Sequence, residues 1–192
     1  MSRSIFEVVY DHQLIKSTDY KKIISAHTKI TFKKGDLFLR AGEVAEEYLL
    51  IESGLIRKYV YNAEGDEITT RFYSRHDFSI VVVSFFQRIP SVENVVAVSS
   101  GVAWKINFTS FQELVYSIKG FGKWGRNWMS GQLFISEQRS IDILTKTATD
   151  RYLDLMNERP EVIRQASLKH IASYLGIPET SLSRSRKEIS RK

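Results

Sequence analysis

The residue pattern changes from strand-like to helical near residue 107, and this change restricts the chain to an α+β fold. Between Thr28 and Ile106 the apolar residues are mostly β-branched or aromatic and come in short runs separated by glycines. Such punctuation is typical of a small all-β barrel or sandwich. After Asn107 the apolar residues recur at helical spacing. We therefore expect an N-terminal β-barrel or jelly roll followed by helices.

Five runs have the composition of strands: Lys29–Phe32, Tyr48–Ile51, Leu55–Tyr61, Ile68–Tyr73 and Val95–Ile106. The loop from Asn62 to Asp66 joins two of them as a hairpin, and Gly65 is its natural left-handed residue. Ahead of the strands, Ser17-Thr18-Asp19 and the spaced apolar residues after it predict a short helix.

A long helix is predicted after the barrel. Asn107 or Thr109 caps a first helix that runs through Tyr116. An apolar seam then follows at gaps of three and four: Phe121, Trp124, Trp128, Gly131 and Ile135. The seam either packs on the chain's own barrel or meets its two-fold mate in a dimer. The large apolar area of the two tryptophans favours the dimer, with contacts from Phe121, Trp124, Trp128 and Ile135.

The C-terminal segment has the pattern of a helix-turn-helix. Thr147 or Thr149 begins a short helix that Pro160 ends. Further on, Ile171, Ala172 and Leu175 form one apolar helix face, and Gly176 allows a turn with positive φ. Pro178 stands where a second helix begins, and the inward residues of that helix are Leu182 and Ile189.

The second helix of this motif carries side chains suited to DNA. Its exposed positions are predicted to be Thr180, Ser181, Ser183, Arg184 and Lys187, which are residue types that bond to phosphates and base edges. Five basic residues and one acidic residue lie between Leu182 and Lys192. The whole chain has a net charge of +6 and a pI of about 9.4, which favours a polyanionic partner.

The order of barrel, long helix and helix-turn-helix resembles the Crp/Fnr family of bacterial transcription regulators. Lys34 to Glu43, Glu52 to Arg57 and Asp66 to Phe72 are similar to the cyclic-nucleotide-binding barrel of that family, and Leu168 to Lys187 is similar to its DNA-reading end. The corresponding domains are a sensor barrel over 1–108, a dimerisation helix region over 109–146 and a DNA-binding domain over 147–192.

The resemblance implies a homodimer that reads a two-fold symmetric site in double-stranded DNA, with RNA polymerase as a further partner. Arg184 matches the family position whose arginine reads a guanine. Two departures stand out. Ser185 replaces an apolar residue, and the chain ends a few residues past the second helix, so the expected winged helix is reduced. These departures leave open an alternative function: a signalling dimer of the same fold that binds another protein.

The stretch that matches the nucleotide site lacks the expected chemistry. Relatives use a Phe-Gly-Glu turn and an arginine about ten residues later, whereas this chain has Asp77-Phe78-Ser79-Ile80 and no arginine between Ser91 and Ala103. The buried phosphate of cyclic AMP would lose its cation, so we expect no binding. Either apolar side chains close the pocket, or an unknown apolar or aromatic effector fills it. The candidate pocket residues are Phe78, Ser79, Ile80, Val81 and Ser91.

Several functions are excluded by residue type. The chain has no cysteine, which removes iron–sulfur clusters and thiol catalysis. Its four histidines are scattered, so neither haem nor another metal or cofactor is expected; His76 is expected to replace a turn glycine, and the others to lie at the surface or in caps. No phosphate loop or nucleophile motif indicates an enzyme. The longest apolar run, Phe78–Phe86, is too short for a membrane span, and a cytoplasmic protein is expected.

Overall fold

The computed structural model describes residues 3–189 apart from the side chain of Glu188, and its first half is a sandwich of two antiparallel sheets. One sheet has the strand order β1-β8-β3-β6 and the other has the order β2-β7-β4-β5. The eight strands are β1 Thr28–Phe32, β2 Leu37–Leu39, β3 Glu47–Ser53, β4 Ile56–Tyr61, β5 Glu67–Tyr73, β6 Phe78–Ser79, β7 Asn94–Ala97 and β8 Gly101–Asn107. The α+β class predicted from the sequence is confirmed.

Helices precede, interrupt and follow the sandwich. They are α1 Ile5–Val9, α2 Asp19–Ser25, α3 Val82–Gln87, α4 Phe108–Ser117, α5 Phe121–Thr145, α6 Ala148–Glu158, α7 Pro160–Gln165, α8 Leu168–Leu175 and α9 Glu179–Ile189. Asn107 caps α4 through its side chain, and Thr147 forms a capping box with Asp150 at the start of α6. Within residues 3–189, no helix is long and apolar enough to cross a membrane.

The predicted turns are present. Gly65 has a φ of 83° in the loop between β4 and β5, and Gly176 has a φ of 68° after α8. His76 has a φ of 74°, so it does occupy a position that favours glycine. The predicted run Val95–Ile106 is two strands rather than one, because the chain turns between β7 and β8.

Two hydrophobic clusters hold the chain together. The larger fills the sandwich and the space between its first sheet and helices α1, α2, α4 and α5. The smaller lies under the C-terminal helices, and it includes Leu55, Phe72 and Val98 from the sandwich. The C-terminal helices are therefore packed directly on the β4–β5 side of the barrel.

The first half of the predicted dimer seam belongs to the larger cluster. Phe121 is fully buried, Trp124 is 7% exposed, and Trp128 packs partly buried against the same core. These side chains face their own barrel, so the prediction that Phe121 and Trp124 meet a second chain is wrong. Aromatic residues at helical spacing predict a buried helix face but do not reveal which surface that face packs on. Here that surface is the chain's own barrel.

Candidate DNA-reading helix and sensor barrel

Helix α9 is anchored from one side and presents the other to solvent. Two residues of α9 face the rest of the chain. Leu182 is fully buried in the smaller hydrophobic cluster, and Ser185, which is 7% exposed, lies beside that cluster. On the opposite side, Thr180, Arg184 and Lys187 are exposed at positions i, i+4 and i+7 of the helix. Ser181 and Ser183 are half-buried at the edges of this face.

The turn before α9 is fixed by backbone hydrogen bonds. Gly176 ends α8 in the left-handed conformation, and the N–H of Ile177 donates to the carbonyl of Ala172 at 3.1 Å. Pro178 comes just before the first residue of α9, and its carbonyl accepts from the N–H of Ser181 at 3.0 Å. Two short helices joined by this turn form a helix-turn-helix.

Ser185, which departs from the family pattern, packs through a hydrogen bond. Its hydroxyl lies 3.0 Å from the hydroxyl of Thr149 on α6. A buried hydroxyl needs such a partner, and Thr149 supplies it from a helix 36 residues earlier in the chain. The predicted basic residues Arg191 and Lys192 lie outside the described residues.

Two arginines that the sequence did not single out connect the helix-turn-helix to the barrel. Arg159, between α6 and α7, donates to the Phe72 carbonyl at 3.0 Å, to the Ser74 hydroxyl at 2.8 Å and to the Asp77 carboxylate at 2.5 Å. Burial by itself would lower the pKa of Arg159, but the charge of Asp77 leaves the pKa raised. No local pattern marks this arginine, because its partners are more than 80 residues away in sequence.

The second connection is made by Arg139 on α5. Its guanidinium donates to the carbonyl of Thr70 at 2.5 Å and to the carbonyl of Tyr174 at 2.7 Å. Burial lowers the pKa of Arg139. Through this one side chain α5 is tied to both β5 and α8.

The predicted pocket residues divide between two faces of the first sheet. Ser79 and Val81 point between the two sheets, where they line a cavity of about 20 Å³. Phe78 and Ile80 point the other way and line a cleft against α4 and α5. Ser91 lines neither space, and its hydroxyl and carbonyl bond to the neighbouring backbone of Glu93 and Gly42.

The space between the sheets does not fit a cyclic nucleotide. A cavity of about 20 Å³ is near the size needed for one water molecule. No arginine or lysine lines it, so a buried phosphate would have no cation. The hydroxyl of Ser79 is buried there without a hydrogen-bond partner. No group of three or more metal-ligating side chains occurs among residues 3–189 either.

Comparison with known proteins defines the class of this chain. Residues 29–117 match the cyclic nucleotide-binding domain family, and this range spans the sandwich and α4. The chain is thus a protein with a cyclic-nucleotide-binding-type barrel.

Individual relatives extend the likeness beyond the barrel. The chain is 26% identical over 134 residues to the anaerobic regulatory protein of Bacillus subtilis, an alignment that covers 70% of this chain but only 56% of that protein. Its fold is shared with FixK2 from Bradyrhizobium japonicum, with a TM-score of 0.72, 16% identity and coverage of 86% of this chain and 85% of that one. A Crp/Fnr-family structure from Eubacterium rectale has a TM-score of 0.70, 18% identity and coverage of 92% and 84%. The resemblance to the Crp/Fnr family noted in the sequence is confirmed, and so is the fold that it implies.

Proposed function

We propose that the chain is a homodimeric transcription regulator that reads a two-fold symmetric DNA site through α9. The observation that carries the proposal is the two-sided character of α9. Leu182 and Ser185 hold it to the rest of the chain, while Thr180, Arg184 and Lys187 form one exposed polar face. A helix exposed in this way fits the major groove of B-DNA.

Each side chain of this face has a role that its chemistry suits. The planar fork of Arg184 can donate to O6 and N7 of one guanine. Thr180, Ser181, Ser183 and Lys187 suit phosphate and sugar contacts, which set the register of the helix on the duplex. The net charge of +6 strengthens the general attraction to DNA.

The proposed dimer contact lies in the second half of α5. Three large apolar side chains on one face there are substantially exposed: Leu133, Ile141 and Leu144. Phe134 and Ile135, the latter from the predicted seam, are 66% and 49% exposed, but both line a cavity with Tyr174 and Leu155 of their own chain. Pairing of two such α5 helices would place two α9 helices for successive major grooves, which repeat at about 34 Å.

The barrel of this regulator does not take cyclic AMP in our proposal. The space beside Ser79 and Val81 is too small and has no cation. This supports control by another signal or by the abundance of the protein. Regulation of transcription further requires contact with RNA polymerase, a partner that the resemblance alone suggests.

The test is selection from a random duplex library at two salt concentrations, with and without cyclic AMP. We expect enrichment of a two-fold symmetric site, a steep salt dependence and no effect of the nucleotide. Arg184→Ala should weaken binding to the preferred site by about 1–3 kcal/mol and relax the preference at one base pair in each half-site. Arg40→Ala, which removes an exposed arginine from the barrel, should leave the affinity nearly unchanged.

Other outcomes would decide against this function. Sequence-independent binding that Arg184→Ala does not alter would contradict a reading role for α9. The alternative, a signalling dimer that binds a protein, would then account for the fold. An increase in affinity with cyclic AMP would contradict the assignment of the barrel.

A further inference from the structure

We propose that the cleft between the first sheet and the N-terminal half of α5 binds an apolar monocarboxylate of about the size of decanoate, with Arg126 facing the carboxylate. The cleft is separate from the space between the two sheets, because it lies on the opposite face of β6. Phe78 lines the cleft, whereas the next residue, Ser79, lines the inner space. The proposal does not depend on DNA binding.

The cleft has the size and lining of a small-molecule site. Its volume is about 300 Å³, at the lower end of the range of about 300–1,000 Å³ for ligand pockets. Its walls are mainly aromatic and aliphatic, from Tyr48, Phe78, Ile80, Trp124, Trp128 and Met129. A second cavity of about 190 Å³ along α4 shares Phe86, Phe111 and Val115 with it, which makes the apolar region elongated.

Two glycines in α5 keep this cleft open. Gly122 and Gly125 both line it. A Cβ atom at Gly125 would meet nothing within 4 Å, and one at Gly122 would only touch Val115 at 4.0 Å. A glycine inside a helix makes the helix less stable than an alanine at the same position would. The packing of this chain therefore does not require glycine at either position. The absence of two side chains instead leaves the cleft beside Gly122 and Gly125 open.

The interior of the cleft calls for an apolar ligand. The indole N–H of Trp124 already donates to the Val9 carbonyl at 2.8 Å. The hydroxyl of Tyr48 lies 2.8 Å from that of Tyr10, with which it shares a hydrogen bond. With these groups paired, the remaining lining offers mostly carbon surface to a bound molecule.

The rim of the cleft calls for an anion. Arg126 lines the cleft and is exposed, and Lys123 is exposed one turn earlier in the helix. The sequence from Phe121 to Ser136 contains no acidic residue. Neither cation forms a salt bridge within the part of the chain that the structure describes. A carboxylate at the mouth of an apolar cleft complements this arrangement.

The experiment titrates the full chain with decanoate and with uncharged decanol, followed by tryptophan fluorescence and calorimetry. Trp124 and Trp128 line the cleft, so their emission should change as one molecule binds per chain. Gly125→Leu should weaken decanoate binding at least tenfold by filling the cleft. Gly131→Leu is the matched control, since Gly131 lies on the same helix, a Cβ there also meets nothing, and it does not line the cleft.

A second pair of variants tests the head group. Arg126→Gln should weaken decanoate binding about tenfold and leave decanol binding unchanged. Lys123→Gln removes an equal charge outside the lining, so it should weaken decanoate binding much less than Arg126→Gln does and leave decanol binding unchanged. If Gly125→Leu does not fold, as judged by circular dichroism, Gly122→Leu fills the same space.

Three results would overturn the proposal. The first is no saturable decanoate binding, or equal binding by the Gly125→Leu and Gly131→Leu proteins. The second is equal affinity for decanoate and decanol with no effect of Arg126→Gln, which would show that the cleft does not recognise a carboxylate. The third is a change of oligomeric mass in Gly125→Leu but not in Gly131→Leu, which would make the cleft a contact between two copies of the chain.

Discussion

At the scale of single residues, a buried histidine shows how the fold fixes a protonation state. His27 is 6% exposed, which corrects the expectation of a surface or capping position. Its Nδ1 donates to the Ile23 carbonyl at 2.7 Å, so its Nε2 accepts from the Tyr10 hydroxyl at 2.8 Å. Burial lowers the pKa of His27 to about 4. At neutral pH the uncharged ring is therefore part of a chain of hydrogen bonds that continues through Tyr10 to Tyr48.

Acidification should therefore destabilise the protein through His27. In the unfolded chain this histidine has an ordinary pKa of about 6.5, so it takes up a proton at pH 5 while the folded form does not. Between pH 7 and pH 5 the free energy of unfolding should fall by about 2 kcal/mol from this group alone. Urea unfolding at both pH values measures the difference. His27→Gln should flatten the pH dependence, and His76→Ala, at an exposed histidine, should keep it; an unchanged slope in His27→Gln would contradict this account.

Other residues show which local features the sequence could reveal. Gly65, Gly176 and His76 were predictable because positive φ follows from local turn chemistry. The partner of Ser185 was not, because Thr149 lies on another helix. His27 likewise carries no local sign of its burial between α2 and the aromatic residues around Tyr10.

At the scale of helices and strands, length decided what could be predicted. Long periodic segments such as α5 and β5 were found, whereas β2 and β6, with three and two residues, are too short to show a period. Pro160 was predicted to end a helix. It follows the end of α6 and also begins α7 at the first helical position, where a missing N–H does no harm.

The junction between α6 and α7 should control how firmly the helix-turn-helix is held to the barrel. Arg159→Lys keeps the charge but cannot reach the Phe72 carbonyl, Ser74 and Asp77 together. We expect a loss of about 1–2 kcal/mol in stability. Amide hydrogen exchange should become faster in α8 and stay unchanged in β3.

The control for this variant is Arg164→Lys, since Arg164 is an exposed arginine on α7. It should leave exchange in α8 at the level of the unaltered protein. Equal protection of α8 in both variants would mean that the smaller hydrophobic cluster holds the helices in place without Arg159.

At the scale of the whole molecule, the second half of α5 carries the proposed dimer contact. Leu144 is 85% exposed and Leu133 is 61% exposed, and neither lines the cavity in front of the chain's own C-terminal helices. The sequence predicted a seam over the first half of α5 because tryptophans dominate there. Apolar spacing predicts a buried face, but only the completed fold shows whether the barrel or another copy covers it.

Placing charges on this face should dissociate the proposed dimer. Ile141→Glu combined with Leu144→Glu removes apolar burial at four positions of a two-fold pair, each worth about 1.5–3 kcal/mol when fully buried. The dissociation constant should rise more than a hundredfold. Sedimentation velocity over a range of concentrations measures it. Gln132→Glu with Ser136→Glu adds the same charges on another side of α5 and should leave the dimer intact. A persistent dimer in the first variant would contradict this contact.

The shared cluster under the C-terminal helices has a consequence for the order of folding during synthesis. Leu55, Phe72 and Val98 belong to the barrel, and all three are synthesised before the first residue of α6. Since chains emerge from the ribosome with the N-terminus first, the barrel can close while the C-terminal helices are still being translated. Those helices then assemble on a surface that already exists, with three of its apolar side chains in place. The barrel thus serves as the template on which the C-terminal helices fold.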